Sequence, residues 1–236
     1  MAMPAEISRG KRPLDDGDLA HVAGGAGSKD PPAQQEPDPG QYHLDHGDAG
    51  ASFTGGSGED TIRMGQGDDS AAGGAGNDII HGDNFMAAQA IAGDPGELLY
   101  TGHDTLDGGD GQDTIYGDSA SHPGIGGNDV ISGGTGDGAA DRVFGGAGDD
   151  VYTWRSGDGS DRFDGGTGLD TLHLPGMPEE VLRMGLSVTG GLELRSLGNG
   201  LHGFFDAAGN PAMASGQMTL KGETVSFAAL EYIRLT

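Results

Sequence analysis

The sequence predicts an all-β molecule in three parts: a disordered N-terminal segment, a central solenoid of stacked short strands, and a β-rich C-terminal cap. Three observations lead there. A nine-residue unit recurs through the middle of the chain, over 51–173. Acidic turns give way to alternating apolar segments over 174–236. Residues 1–50 are rich in Pro, Gly, Gln and Asp and carry no apolar periodicity, the composition of a flexible linker.

The N-terminal segment and the array share an unusual composition. The chain has 236 residues with 49 glycines, where an average share is about 7%. Only 34% of residues are hydrophobic, and 37 Asp and Glu stand against 12 Lys and Arg, for a formal charge of −25. Such a chain repels itself and has little apolar surface to offset its conformational entropy, to which glycine adds most. Without a counter-charge most of it is expected to be disordered. The acidic excess argues against nucleic acid and anionic membrane surfaces as partners and favours cations. With no cysteine there are no disulfides and no thiolate metal sites. No stretch approaches the roughly 20 apolar residues of a membrane helix, and residues 1–30 lack the apolar core of a general secretory signal.

The repeat reads Gly-Gly-x-Gly-x-Asp-x-(apolar)-x. Clear copies are GGSGEDTIR at 55–63, GGAGNDIIH at 73–81, GGDGQDTIY at 108–116, GGAGDDVYT at 145–153 and GGTGLDTLH at 165–173. Looser copies occupy 64–72, 99–107, 124–132, 133–144 (with three extra residues) and 156–164. In each, the fourth position reads as glycine: 58, 67, 76, 102, 111, 127, 136, 148, 159 and 168. The aspartates are Asp60, Asp69, Asp78, Asp104, Asp113, Asp129, Asp141, Asp150, Asp161 and Asp170. Two residues further on stand Ile62, Ala71, Ile80, Leu106, Ile115, Ile131, Val143, Tyr152, Phe163 and Leu172.

Glycines supply the positive φ of a tight turn and let the backbone approach an ion. The turn aims carbonyl oxygens inward and the aspartate adds a charged oxygen, a hard donor set suited to Ca²⁺. The residues after the turn form a short strand with one inward apolar side chain. A single strand buries almost nothing, so stability must come from stacking.

These nonapeptides resemble those of the RTX, or haemolysin-type calcium-binding, family, over roughly residues 55–173. The resemblance implies a right-handed parallel β-roll in which two nonapeptides make one coil and Ca²⁺ is the cofactor. The ten aspartates would then be metal ligands, with Asp60 paired to Asp78, Asp129 to Asp150, Asp141 to Asp161, and Asp150 to Asp170. It also implies a secreted or surface-associated protein, exported by an ABC-type (type I) system through an uncleaved signal in the C-terminal cap. Met64, Ala71 and residues 99–101 depart from the pattern, and inserts at 84–98 and 119–123 interrupt the stack. The strongest sites are therefore expected at 55–81 and 145–173.

Upstream, Leu14, Asp18, Leu19 and Val22 precede Gly24-Gly25 at spacings that resemble the double-glycine leader of bacteriocin-type export substrates, cleaved after Gly25. A glycine-rich chain also produces such a pattern by composition, and both readings stand. In the C-terminal part, Pro178 and two glutamates point to a short helical turn over 178–184. Gly190-Gly191 predicts a hairpin between 186–189 and 192–197, and Gly222-Glu223 a second between 217–221 and 224–227. A cap suits the open end of a β-solenoid, which is an unpaired edge.

Catalytic signatures are not found. His-Glu-x-x-His, Gly-x-Ser-x-Gly and the Gly-Lys-Ser/Thr of a phosphate loop are absent from the sequence. His43 and His46 have a spacing that could hold a transition metal, but two histidines in a linker are a weak pattern. His81, His103 and His173 read as surface residues and Trp154 as packing at a coil junction. The expected function is a non-catalytic calcium-folded module. The alternatives are an accessory or truncated RTX exoenzyme or toxin module, and a bacteriocin-like export substrate.

Overall fold

The computed structural model describes residues 41–43 (backbone), 50–65, 67–83, 102–118 and 126–236. All belong to one unit, Pro31–Thr236. The Gly24-Gly25 pattern, His46 and both inserts lie outside the described residues.

Among the described residues twelve strands build the array: β1 (Gln41–His43), β2 (Ser52–Thr54), β3 (Thr61–Arg63), β4 (Ser70–Ala75), β5 (Ile79–His81), β6 (Thr105–Asp110), β7 (Thr114–Tyr116), β8 (Val130–Ser132), β9 (Arg142–Ala147), β10 (Val151–Thr153), β11 (Arg162–Thr167) and β12 (Thr171–His173). After α1 (Glu179–Gly185) come β13 (Leu186–Val188), β14 (Glu193–Gly198), β15 (Leu201–Phe205), β16 (Ala214–Leu220), β17 (Glu223–Leu230) and β18 (Tyr232–Arg234). Odd strands of the array join one sheet and even strands the other, in the orders β1-β3-β5-β7-β9-β11-β17-β16-β13 and β14-β15-β18-β12-β10-β8-β6-β4-β2. All pairings within the array are parallel. The central part is therefore a parallel β-roll, one coil per two nonapeptides. Among the described residues strand pairing begins at Gln41, ahead of the boundary expected at 51, because β1 pairs with β3.

Register fixes the core. Ile62, Ile80, Ile115, Val143, Phe163 and Phe227 stack in one sheet. Ala71, Leu106, Ile131, Tyr152, Leu172 and Ile233 stack in the other. All of these side chains are buried. Each large one contributes about 1.5–3 kcal/mol by leaving water, so only a long stack can offset the entropy of ordering the glycine turns. Ala71 fills its place in that row although it is small. On the outer face of the first sheet, His81, Tyr116 and Phe144 stack ring on ring at 4.8 and 4.9 Å. Burial and the neighbouring Arg63 charge lower the His81 pKa to about 4, so it stacks as neutral imidazole. Trp154 is fully buried and its indole N–H donates to the Gly159 carbonyl at 3.1 Å.

Neither insert breaks the stack. Gly82 N–H donates to the Tyr116 carbonyl and Gly117 N–H to the Phe144 carbonyl, as Gly55 N–H does to Ala72. Gly82-Asp83 and Gly117-Asp118 thus lead the turns that end at Asp104 and Asp129, in place of residues 99–100 and 124–125. In sequence, both inserts therefore fall within a turn rather than between repeats. In the 133–144 repeat, the residue beneath Gly159 is Ala139, not Gly136. The three extra residues therefore precede the fourth position instead of following it.

In the C-terminal part, α1 forms where Pro178 and the first-turn Glu179 and Glu180 favour it. The Gly190-Gly191 pair does not close a hairpin. Both residues have positive φ (77° and 68°), but they carry the chain from β13, paired with β16, to β14, paired with β15 in the other sheet. The tight hairpin is instead β14–β15, turned by Asn199-Gly200 with φ of 51° and 74°. The second expected hairpin exists as β16–β17, with its turn one residue earlier at Lys221-Gly222. β17 and β18 continue the roll itself, pairing in parallel with β11 and β12. Phe227–Arg234 is thus a shortened final turn of the array without glycines.

Candidate metal centre

The glycine turns line the edges of the roll, and the ten aspartates come together there in two ladders. Along one, Asp60 N–H donates to Asp78 Oδ1 (2.8 Å), Asp78 to Asp113 (2.7 Å), Asp113 to Asp141 (2.9 Å) and Asp141 to Asp161 (3.0 Å). Along the other, Asp69 N–H donates to Asp104 Oδ1 (2.9 Å), Asp104 to Asp129 (2.9 Å), Asp129 to Asp150 (2.8 Å) and Asp150 to Asp170 (2.9 Å). All four pairs expected from the sequence are among these, and the ladders run unbroken past both inserts. The second ladder ends on a residue outside the repeats: Asp170 N–H donates to Glu231 Oε2 at 2.9 Å.

Each of the eight acceptor carboxylates thereby uses one oxygen, Oδ1. In Asp78, Asp104, Asp113, Asp129, Asp141, Asp150 and Asp170 the other, Oδ2, is buried and accepts no hydrogen bond. It faces the leading glycine of its own turn. A Cβ at Gly108 would overlap both Asp113 Oδ2 and the Gly133 carbonyl oxygen, and one at Gly145 or Gly165 would overlap Asp150 or Asp170 Oδ2. Gly74, Gly109, Gly146 and Gly166, at the second position, have φ between 101° and 121°, a region closed to most side chains.

A buried carboxylate oxygen without a donor is costly. Burial accordingly raises these groups from an ordinary 3.8: Asp78 to about 6, Asp113, Asp129 and Asp170 to about 7, Asp141 and Asp150 to about 8, and Asp104 to about 9. Backbone N–H donors oppose the rise and neighbouring carboxylates add to it. Orphaned oxygens, all-oxygen donors and glycine cradles that exclude a Cβ fit Ca²⁺, which takes six to eight oxygen ligands in flexible geometry. The aspartates and the turn carbonyls would hold it.

Asp161 differs. Its Oδ2 accepts the Tyr152 hydroxyl at 2.7 Å, and its turn is led by Ser156 rather than glycine. At the array's N-terminal end, Gly56 N–H donates to Asp60 Oδ2 at 2.8 Å, and Ala51 N–H to Asp69 Oδ1 at 2.7 Å. Sequence reasoning missed Asp83, Asp118 and Glu231. The first two were legible in the repeated Gly-Asp that follows His81 and Tyr116, directly after a strand, where a turn should begin. Glu231 had no repeat around it to mark it.

Stacked glycine turns joined by buried aspartate ladders define a β-roll whose edges are lined with oxygen donors for hard cations. The family model described as RTX calcium-binding nonapeptide repeat matches in four copies, at residues 53–85, 100–120, 123–153 and 155–173. The array is therefore built of RTX calcium-binding nonapeptide repeats. No curated protein matches the chain.

Proposed function

We propose that this is a secreted, non-catalytic calcium-binding RTX protein that folds when it meets Ca²⁺ outside the cell. The observation that carries the reading is the row of buried Oδ2 atoms without donors, which a divalent cation would satisfy. The ten array aspartates are its ligands, Asp161 in a turn modified by Tyr152. In a cytosol poor in Ca²⁺, the charge of −25 keeps the chain extended. That state suits passage through an ABC-type exporter, with the C-terminal segment as the address. Outside, Ca²⁺ at about 10⁻⁴–10⁻³ M loads sites of extracellular affinity. Binding to the native state alone then supplies folding free energy. Among the described residues no helix is long and apolar enough to cross a membrane.

The test is far-ultraviolet circular dichroism of the full chain at pH 7.5. In chelator the spectrum should be largely coil. A β signal should develop cooperatively with Ca²⁺ in the millimolar range or below, and not with Mg²⁺, whose octahedral demand the turns do not meet. An identical β spectrum in chelator and in Ca²⁺ would overturn the proposal.

A further inference from the structure

Asp83 and Asp118 stand at the second position of their turns, which is glycine in the turns beginning at Gly55, Gly73, Gly108, Gly133, Gly145 and Gly165. They lie one coil apart on the same edge. Asp83 N–H donates to the Gly117 carbonyl at 2.8 Å, and Asp118 N–H to the Gly145 carbonyl at 3.2 Å. Both side chains are buried, at 5% and 7% exposure, and their carboxyls are in hydrogen-bonding contact with each other. Such contact requires a shared proton or a cation between them.

Their other partners are weak or already used. Asp83 accepts only the Gly102 N–H, at 3.2–3.4 Å. Asp118 accepts Ala147 N–H at 2.7 Å and Gly127 N–H at 3.2 Å. Among the described residues no Lys, Arg or His forms an ion pair with either. Two further carboxylates, Asp104 and Asp129, each 1% exposed, face the glycines directly before this pair. Their unpartnered Oδ2 atoms press on the glycines that precede the pair: a Cβ at Gly82 would overlap Asp104 Oδ2, and one at Gly117 would overlap Asp129 Oδ2. Asp129 lies close enough to Asp83 and Asp118 for like-charge repulsion, and so does Asp104 to Asp83. Among the described residues no three such side chains converge on one point, so the ligand set here is a carboxylate pair completed by turn carbonyls.

We propose that Asp83 and Asp118, backed by Asp104 and Asp129, form a second kind of cation site in the array, a carboxylate-pair site that holds Ca²⁺ more tightly than the glycine turns. This rests on the calcium-binding reading above. Affinity among oxygen-ligated Ca²⁺ sites rises with ligand charge, and this edge carries two carboxylates more than its neighbours. In sequence Asp83 and Asp118 directly precede the two inserts, so a cation held there fixes the coil at the points where the repeat is interrupted.

The test compares wild type with D83G/D118G, which restores the glycine found in other turns and so keeps the backbone able to fold. Ca²⁺ binding to the full chain is followed by isothermal titration calorimetry and by equilibrium dialysis, with β content checked by circular dichroism at saturating Ca²⁺. Wild type should show a tight class of site ahead of the main transition. The variant should reach the same β content yet lose that class, with at least about a tenfold rise in the first dissociation constant and lower stoichiometry. Unchanged affinity and stoichiometry would overturn the proposal. So would tighter folding of the variant in chelator with no change in Ca²⁺ binding, which would mark a proton-sharing structural pair. A wild type that binds no Ca²⁺ would instead refute the family-level reading, so the two failures are distinguishable. If D83G/D118G does not fold, D83N/D118N keeps the volume while removing both charges, and the same loss is expected.

Discussion

At the scale of the residue, the array is governed by two atoms, the aspartate Oδ2 and the missing Cβ of the glycine opposite. Gly108 shows the balance most clearly, since a methyl group there meets both Asp113 Oδ2 and the backbone oxygen of Gly133. The carboxylate could rotate away, but the carbonyl belongs to the next coil and cannot move alone. Gly108→Ala should therefore destabilise the calcium-loaded roll by about 1–3 kcal/mol and raise the Ca²⁺ midpoint of folding, read by circular dichroism. A midpoint equal to wild type would show that the cradle has slack. Tyr152 illustrates what single-residue reading cannot reach. Its place as an inward apolar position was legible from spacing. Its hydroxyl bond to Asp161 arises because β10 and the next turn face each other across the coil, and no repeat template encodes that.

At the scale of the element, each turn is completed by the next. Glu231 supplies the last acceptor, to Asp170 N–H, from a segment with no glycine turn of its own. Glu231→Ala should leave that N–H without its partner at a cost of about 1–3 kcal/mol. Hydrogen exchange should then rise at Asp170 and in β12 while the coils around Asp113 keep their protection; uniform protection throughout would contradict the end-cap role. The array strands were legible because each unit repeats a turn, an aspartate and an inward side chain. The cap was less so. Gly190-Gly191 has the residues of a hairpin turn, yet β13 and β14 part into different sheets because the roll offers two open edges to be covered. Asn199-Gly200 carried the stronger turn signal. The inserts misled in the same way: counting back from Asp104 and Asp129 puts the start of a repeat at residue 99 and at Gly124, but Gly82 and Gly117 already occupy that place in the hydrogen-bond register.

At the scale of the whole molecule, cations and protons compete for the same buried oxygens. Eight of the ten array aspartates, Asp78 and Asp104 through Asp170, have folded pKa values raised from 3.8 to about 6–9, chiefly by burial. The folded chain therefore binds protons that the unfolded chain has released. The stability this confers on the cation-free roll is fully present below about pH 4 and is lost as pH rises through the folded values. In chelator, β signal should grow as the pH is lowered from 9 toward 5. Near pH 5, where the cation-free roll is folded and its carboxyls are protonated, Ca²⁺ binding should release protons, measurable as a dependence of calorimetric heat on buffer ionisation, whereas binding to the ionised coil at pH 7.5 should release few. A chelated protein that gains β structure on alkalinisation would contradict the assignment of these oxygens. The ladders also have a polarity. Nine of the ten aspartates offer their N–H to a carboxylate that lies later in the chain, and the last acceptor of the second ladder is Glu231. A chain delivered head first leaves each new donor waiting for residues not yet present. Delivered tail first, it meets at every step an acceptor already in place, so assembly can run as a ratchet from the cap backwards.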